Sequence, residues 1–281
     1  MRGSLLLPAE RRPTYYFLQY AKRFSPVYLT AEIDMGRARA HRAQALATTG
    51  RRFSYVSYII RSVSLALQRY PEANASVRHG FLPRFTQHPR IHAKFTVDKA
   101  SAGRRFVAAG LVLDADRAEL VEVQARVDYI REGSFETLDE FKNARLLRKL
   151  PLGIGQWVYN AALSSLDRRG RLQGTFMVTS LGHRPIRDFL PVSSSTLCFG
   201  MGAIEPRPVV VDGEIVIREM MNLSFAFDHA VLDGALAADL LTEVKHVIER
   251  GEWDSAALLD EASSPRLGPA PRDFQQTGEQ R

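Results

Sequence analysis

Apolar residues recur along this chain with two periods, one typical of helices and one typical of strands. Tyr55, Ile59, Val63 and Leu67 stand at helical intervals, so residues 53–70 are predicted to form a helix with one buried face. The same reading predicts helices over 35–48, 117–131 and 235–249. Alternating or wholly apolar segments predict strands over 27–33, 76–79, 84–87, 92–97, 107–113, 174–179, 196–203, 208–211, 214–218 and 220–227. These elements predict an α/β fold in which helices cover a mixed sheet.

Composition divides the chain into one folded unit and two tails. The 281 residues are 45% hydrophobic, which is ample for a single globular unit, predicted over 10–253. Residues 1–9 are predicted to be a flexible N-terminus. After Trp253 the chain becomes rich in Ser, Pro, Gly and charged residues, so 254–281 is predicted to be disordered. Within the folded unit, Asp212-Gly213 between two strand segments predicts a hairpin turn.

Charge and cysteine content exclude several classes of protein. The net charge is +7, but the basic residues are mixed with acids along the whole chain, so we expect no nucleic-acid partner. No apolar run approaches the roughly 18 residues of a membrane span, and no signal peptide precedes the folded unit, so we expect a cytoplasmic protein with no membrane partner. The single cysteine, Cys198, lies in an apolar strand and is predicted to be a buried thiol. No metal-ligand spacing occurs, so no metal site is expected.

The strongest candidate for chemistry is His229, which follows the strand 220–227 directly. A neutral imidazole at a strand end can accept a proton near pH 7. Asp233 stands four residues later, at the start of the predicted helix 235–249, where its carboxylate is well placed to cap that helix. Taken alone, this pattern occurs by chance in many proteins, and the alternative interpretation is a hydrogen-bonded core histidine.

Additional sequence around His229 resembles a known family. Phe227-Asp228-His229 followed by Asp233-Gly234-Ala235 is similar to the active-site signature of dihydrolipoyl acyltransferase catalytic domains and chloramphenicol acetyltransferases. The segment 174–182 resembles the strand that carries the family's oxyanion-stabilising hydroxyl, and 196–202 resembles a core strand. Arg11-Arg12 followed by Pro26 resembles the family's N-terminal arm, so the likeness covers most of 10–252. It implies a chloramphenicol acetyltransferase-like α/β fold, a two-layer sandwich with a mixed β-sheet covered by helices.

The resemblance implies a role for each candidate residue. His229 would be the general base, and Thr179 would donate a hydrogen bond to the oxyanion, with Ser180 as the alternative donor. Asp233 would support the site structurally, paired with Arg11 or Arg12. No cofactor would be bound permanently, because acetyl-CoA or another acyl-CoA is a co-substrate in the family; the residues that hold CoA are not identified. The family also implies a homotrimer with active sites at the subunit interfaces.

Two departures from the family pattern affect the expected acceptor. Ala230 stands where dihydrolipoyl acyltransferases carry an arginine after the histidine, and we expect no lipoyl domain ahead of residue 10. The segment of about 134–171 is also longer than in the commoner family members, and it is predicted to form two additional helices with an apolar stretch around Trp157. Two interpretations of this segment stay open: a lid or acceptor-binding element, or a helical pair packed on the sheet.

We therefore expect a freestanding O-acetyltransferase that moves acetyl from acetyl-CoA to the hydroxyl of a small molecule. An acceptor from antibiotic or other natural-product biosynthesis, such as a tetronate, fits this expectation. One alternative is a dihydrolipoyl acyltransferase that acts on lipoyl groups supplied in trans. The other is a non-catalytic trimeric scaffold, although a scaffold has no need of a base and an oxyanion donor together.

Overall fold

A six-stranded mixed sheet lies at the centre of the computed structural model, which describes residues 7–78, 80–101 and 103–253. The strand order is β1-β8-β7-β6-β4-β5, and a separate hairpin pairs β2 with β3. The pairs β4–β6 and β6–β7 are parallel, and the other neighbours in the sheet are antiparallel. The strands are β1 Pro26–Asp34, β2 Ala75–Arg78, β3 Arg84–Gln87, β4 Ala93–Ser101, β5 Arg104–Val112, β6 Phe176–Ser180, β7 Leu197–Val211 and β8 Glu214–Asp228.

Helices join and cover these strands. They are α1 Arg12–Ala21, α2 Gly36–Thr49, α3 Tyr55–Arg69, α4 Leu120–Glu132, α5 Lys142–Lys149, α6 Leu152–Ala162, α7 Leu166–Gln173 and α8 Gly234–Arg250. Short 3-10 turns lie at Ala9–Arg11, Pro71–Ala73 and Asp139–Phe141. The predicted α/β class with a mixed sheet and helices is confirmed.

One face of the sheet carries the main hydrophobic core. Successive strand residues point to opposite faces, so Phe95, Val178, Phe199 and Phe225 all point to the same side. There they pack with buried residues of α3, α4 and α8, and Phe199 stacks on Phe225 with ring centroids 4.6 Å apart. This face therefore consists almost entirely of apolar side chains that are sealed from water.

The opposite face is covered less completely. Met177, Cys198 and Ala226 form a small buried cluster there, and tyrosines of α1 and α6 form another with Leu163. The prediction that Cys198 is a buried free thiol is confirmed, and burial raises its pKa to about 12. It therefore remains a protonated thiol at neutral pH.

Two pairs of predicted strands are single long strands in the structure. The segments 196–203 and 208–211 belong to β7, and the segments 214–218 and 220–227 belong to β8. Pro206 and Pro208 are tolerated within β7 because they lie where it extends past β6 and has only β8 beside it, so their missing N–H groups cost no hydrogen bond to a second strand. The predicted hairpin turn is confirmed, since both Asp212 and Gly213 have positive φ.

The expectation of two helices within about 134–171 is wrong, because the segment contains the three helices α5, α6 and α7. Pro151 separates α5 from α6, since proline favours the first turn of a helix and disrupts a helix interior. Ser165 then caps α7 by accepting a hydrogen bond from the Arg168 N–H at 3.5 Å. The predicted N-terminal arm likewise contains a helix, α1.

The predicted tails lie largely outside the described residues. These are the flexible N-terminus 1–9, of which residues 7–9 are described, and the disordered segment 254–281. Within the described part of the chain, none of the helices has the length and apolar character needed to cross a bilayer. The same residues contain no cluster of three or more His, Cys, Asp or Glu side chains arranged to hold a metal ion.

Candidate active site

The turn after β8 fixes the backbone of His229 from both sides. The Asp228 side chain is only 2% exposed, and its Oδ1 accepts hydrogen bonds from the Ser25 N–H at 3.1 Å and the Ala230 N–H at 3.2 Å. The His229 N–H donates to the Ser25 carbonyl at 3.0 Å. The imidazole itself is exposed, with its ring centroid 5.9 Å from that of Phe227. Its backbone is therefore held firmly while its ring stays open to a reactant or a second chain.

Asp233 caps the next helix, as predicted. It is the N-cap of α8, and its Oδ1 accepts a hydrogen bond from the Leu236 N–H at 3.1 Å. The predicted partner Arg12 lies elsewhere, because its guanidinium donates to the Arg148 and Leu150 carbonyls at 3.1 and 2.9 Å, at the end of α5. Arg11 is exposed at the end of the first 3-10 turn. The contacts seen here thus give Asp233 a structural role without an arginine.

Thr179 lies at the carboxyl end of β6, on the face opposite the main core. Its Oγ1 accepts a hydrogen bond from the Thr96 hydroxyl of β4 at 2.9 Å. Because Thr96 supplies the proton of this bond, the Thr179 hydroxyl keeps its own proton for another acceptor. Ser180 points to the other face, where its Oγ accepts from the Gly182 N–H at 3.2 Å. The two candidate donors therefore serve different sides of the sheet.

Thr179 lines a cavity of about 480 Å³. The strands β4, β5 and β6 form its floor, and α1, α5 and the preceding 3-10 turn form its walls, with Phe17, Phe141 and Leu147 among the apolar lining residues. The lining is mostly apolar, which suits a small molecule, and its volume falls in the usual range for such sites. The segment 134–171 therefore both packs on the sheet and lines the cavity.

A second, arginine-rich cleft of about 740 Å³ opens on the side of Ser180. Arg39 is paired there with Glu219, and Arg42 lies over the Tyr55 ring at 4.0 Å while it donates to a backbone carbonyl. Arg52 and Arg131 complete the set of cationic lining residues. The neighbouring residues Thr179 and Ser180 thus border an apolar cavity and a basic cleft on opposite faces of the sheet.

A single chain does not bring His229 and Thr179 together. The sheet register places Thr179 level with Gly200 of β7 and Ser224 of β8. His229 lies five residues beyond Ser224, which corresponds to about 17 Å along the strand and about 10 Å across it. This separation is too large for one bound reactant to contact both side chains within one subunit.

Three residues of this region were missed by sequence reasoning. Asp228 anchors the histidine turn, Thr96 orients the Thr179 hydroxyl, and Lys94 extends into the cavity. A signal for the last two was present, because β4 alternates apolar Ala93, Phe95 and Val97 with polar side chains. Where a sheet is covered on both faces, core positions are normally apolar. Polar residues at every second position of a strand therefore indicate that one face is not part of the hydrophobic core.

Comparisons with known proteins agree with this architecture. The family model of the 2-oxoacid dehydrogenases acyltransferase (catalytic domain) matches residues 11–133 and 156–255. The dihydrolipoyllysine-residue acetyltransferase component of the pyruvate dehydrogenase complex from Staphylococcus epidermidis is 25% identical over 252 residues, which cover 88% of this chain and 51% of that protein. The chain thus spans about half the length of the curated relatives it matches.

Solved structures share the fold. The dihydrolipoamide acetyltransferase of Azotobacter vinelandii, studied for the roles of a serine, a histidine and an asparagine in its catalytic mechanism, matches with a TM-score of 0.68 and 19% identity, covering 92% of this chain and 94% of that one. The cubic core of the pyruvate dehydrogenase multienzyme complex matches with a TM-score of 0.66 and 18% identity over the same shares of each chain. The resemblance predicted from the sequence is confirmed, and the chain belongs to the acyltransferase family of 2-oxoacid dehydrogenase catalytic domains.

Proposed function

We propose that this protein transfers an acyl group, acetyl in the first instance, from acyl-CoA to the hydroxyl of a small molecule. The observation that carries the proposal is the Thr179 hydroxyl, which opens into a small apolar cavity with its proton left available by Thr96. The catalytic unit is residues 10–253, and the requirement for acetyl-CoA is consistent with a cytoplasmic location.

The proposed reaction is a direct displacement at the thioester carbonyl. His229 accepts the proton of the acceptor hydroxyl as its oxygen attacks the carbonyl carbon, forming the new C–O bond. The carbonyl oxygen becomes an oxyanion and accepts a hydrogen bond from Thr179, a contact worth about 3 kcal/mol in comparable sites. The C–S bond then breaks, the thiolate of CoA takes the proton from the imidazolium, and ester and free CoA leave.

The proposed site lies between two subunits of a homotrimer. The exposed ring of His229 and the distant Thr179 meet the same reactant only if His229 of one subunit faces the Thr179 cavity of another. The similarity to a solved cubic core supports an assembly of several copies, since such a core consists of many subunits. The family resemblance suggests a trimer. In such a ring each subunit contacts the next head to tail, and the ring closes after three subunits.

The solved Azotobacter vinelandii relative supports the assignment of the residues. The histidine and asparagine studied in its mechanism are four residues apart, the same interval as that between His229 and Asp233. A serine is the third residue studied there, and Thr179 offers the same hydroxyl chemistry. His229 is thus proposed as the base, Thr179 as the oxyanion donor in preference to Ser180, and Asp233 as a structural support.

The arginine-rich cleft is proposed to hold the phosphates of CoA. Acyl-CoA carries several negative charges, and guanidinium groups bind phosphate oxygens through paired hydrogen bonds. The cleft borders Ser180 on the face of the sheet opposite Thr179, so the pantetheine arm of a CoA molecule bound there must pass the end of β6 to bring its thioester to Thr179. No other cofactor is part of the proposal.

A hydroxyl acceptor, such as the natural-product alcohols of tetronate pathways, is preferred on the basis of the cavity. Its walls include Phe141, Ala144 and Leu147, which lie in the segment 134–155 that the family model leaves unmatched. A chain-specific wall beside the proposed oxyanion donor favours a chain-specific acceptor. The names of the curated relatives favour a second candidate, transfer to dihydrolipoyl groups supplied by another protein.

One experiment separates the two candidates. The purified chain is incubated with acetyl-CoA and either benzyl alcohols or dihydrolipoamide, and the ester and thioester products are quantified by mass spectrometry. We expect faster formation of ester. Exclusive formation of the thioester would replace the first candidate with the second, and no product from either acceptor would contradict the proposed function and favour the scaffold.

A further inference from the structure

Among the lysines that the structure describes, only Lys94 lines the cavity beside Thr179. It lies on β4 opposite Met177 of β6, so its side chain shares the sheet face of Thr96 and Thr179 and stands two residues away from them. Two residues along a strand correspond to about 7 Å. An extended lysine side chain therefore brings a cation to the same chamber as the proposed oxyanion donor.

The charge of Lys94 is not balanced by any described carboxylate. Its Nζ donates a hydrogen bond to the Gln173 side-chain oxygen and lies 5.6 Å from the ring centroid of Phe17. The acidic residue that lines the same cavity, Glu140, is already bound to Arg126 at 2.8 Å. A cation that has only an amide oxygen and an aromatic ring as neighbours is poorly compensated for the loss of water.

Burial lowers the pKa of Lys94 to about 8, and the opposing effect of the nearby Cys198 is the smaller of the two. The ammonium form is favoured below this pH, and it is lost as the pH rises through it. A bound anion would stabilise the charged form and restore the pKa toward its ordinary value, so anion binding above pH 8 must be accompanied by proton uptake.

We infer that Lys94 determines acceptor specificity by binding an anionic oxygen group, a carboxylate or an ionised enol, on the molecule whose hydroxyl is acylated beside Thr179. The apolar walls accept the body of this acceptor, and Lys94 holds its anionic group on the same sheet face as Thr179, two strand positions away. This inference rests on the proposed function and narrows its substrate class from small alcohols to small hydroxy acids.

A matched pair of acceptors tests the inference with acetyl-CoA as donor. The pair is 4-(hydroxymethyl)benzoate and 4-methylbenzyl alcohol, which share the hydroxymethylphenyl group and differ at the para position, where one carries a carboxylate and the other a methyl group. We expect the wild type to prefer the benzoate, and Lys94→Met to raise the KM of the benzoate by about 30-fold while changing that of the neutral alcohol by less than about threefold. Lys94→Arg, which keeps the charge, should recover part of the preference. Lys22→Met, at an exposed lysine whose side chain binds only Gln19, is the control.

The anion could instead belong to the acyl group, so succinyl-CoA and acetyl-CoA are compared with 4-methylbenzyl alcohol as acceptor. A preference for succinyl-CoA that depends on Lys94, without any preference among acceptors, would overturn the inference. Equal use of both acceptors by the wild type, or an equal loss of both in Lys94→Met, would overturn it as well.

Binding without turnover keeps this test separate from the proposed function. Calorimetry of the wild type with 4-(hydroxymethyl)benzoate at pH 9, in buffers of different ionisation enthalpy, should detect proton uptake that Lys94→Met lacks. Above pH 8 the affinity should fall by about tenfold for each pH unit. Binding with proton uptake in a protein that acylates no acceptor would reject the acyl transfer and retain the anion site; binding without proton uptake, or no binding, would reject the anion site.

Discussion

The His229 turn and the Thr179 cavity are both built at strand ends, yet they are opposites in exposure. His229 has a firmly bonded backbone and an open ring, whereas Thr179 has its hydroxyl oriented by Thr96 inside a chamber with apolar walls. A hydrogen-bond donor is most effective where water is excluded, and a base must reach a group that is brought to it. The difference agrees with the proposed site, in which each region is one half and a second subunit supplies the other half.

The largest effect is expected at the histidine turn. His229→Ala should lower kcat by about a thousandfold, because it removes the proposed general base while the exposed position leaves the fold intact. Steady-state rates of acetyl-CoA consumption measure this, and thermal unfolding checks the fold. His246→Ala on α8 is the matched control and should retain its rate. Unchanged turnover in His229→Ala would contradict the role of His229 as general base.

The cavity should give the next largest effect. Thr179→Val keeps the shape of the side chain but removes the hydroxyl, so kcat should fall by about a hundredfold with little change in the KM of acetyl-CoA. Thr179→Ser keeps the hydroxyl and should stay within about tenfold of the wild type. If Ser180→Ala lowers kcat as much as Thr179→Val does, the oxyanion donor is not restricted to the Thr179 face of β6. That result would contradict the contrast drawn between the Thr179 cavity and the His229 turn.

The smallest effect is expected at Asp233, where stability and activity can be separated. Asp233→Ala removes the cap of α8 and should lower the free energy of unfolding by about 1 kcal/mol, measured by urea denaturation. Asp233→Asn keeps a capping oxygen and loses the charge, so it should retain both stability and turnover. A large loss of turnover in Asp233→Asn at normal stability would restore the predicted pairing with an arginine.

Much of this architecture could be predicted from the sequence, because the apolar residues within its helices and strands recur at regular intervals. The apolar periods of α3 and α8, the alternation in β4 and the Asp212-Gly213 turn are local patterns, and each one predicts its element. The full length of β7 was not predicted, and whether a strand tolerates prolines such as Pro206 and Pro208 depends on how many neighbouring strands it has. That number is a property of the whole sheet.

The site was predictable in residue type and much less so in arrangement. His229, Thr179 and Asp233 stand in motifs, so the resemblance identifies them. The register that separates His229 from Thr179 arises from the pairing of β6, β7 and β8. The Thr96–Thr179 contact and the chamber around Lys94 arise from the pairing of β4 with β6, which are more than 70 residues apart in sequence. The alternation in β4 indicates a polar face, but no local pattern shows that this face pairs with β6, and for that reason the position of Lys94 beside Thr179 was overlooked.

The central claim, that one active site uses His229 of one subunit and Thr179 of another, is tested most directly by mixing two inactive variants. His229→Ala and Thr179→Val are denatured together in equal amounts, refolded and assayed with acetyl-CoA and the preferred acceptor. In randomly mixed trimers about a quarter of the sites combine an intact His229 with an intact Thr179, so activity should return to about a quarter of the wild-type value. Activity that stays at the average of the two separate variants, in a sample shown by native mass spectrometry to contain mixed trimers, would contradict the account.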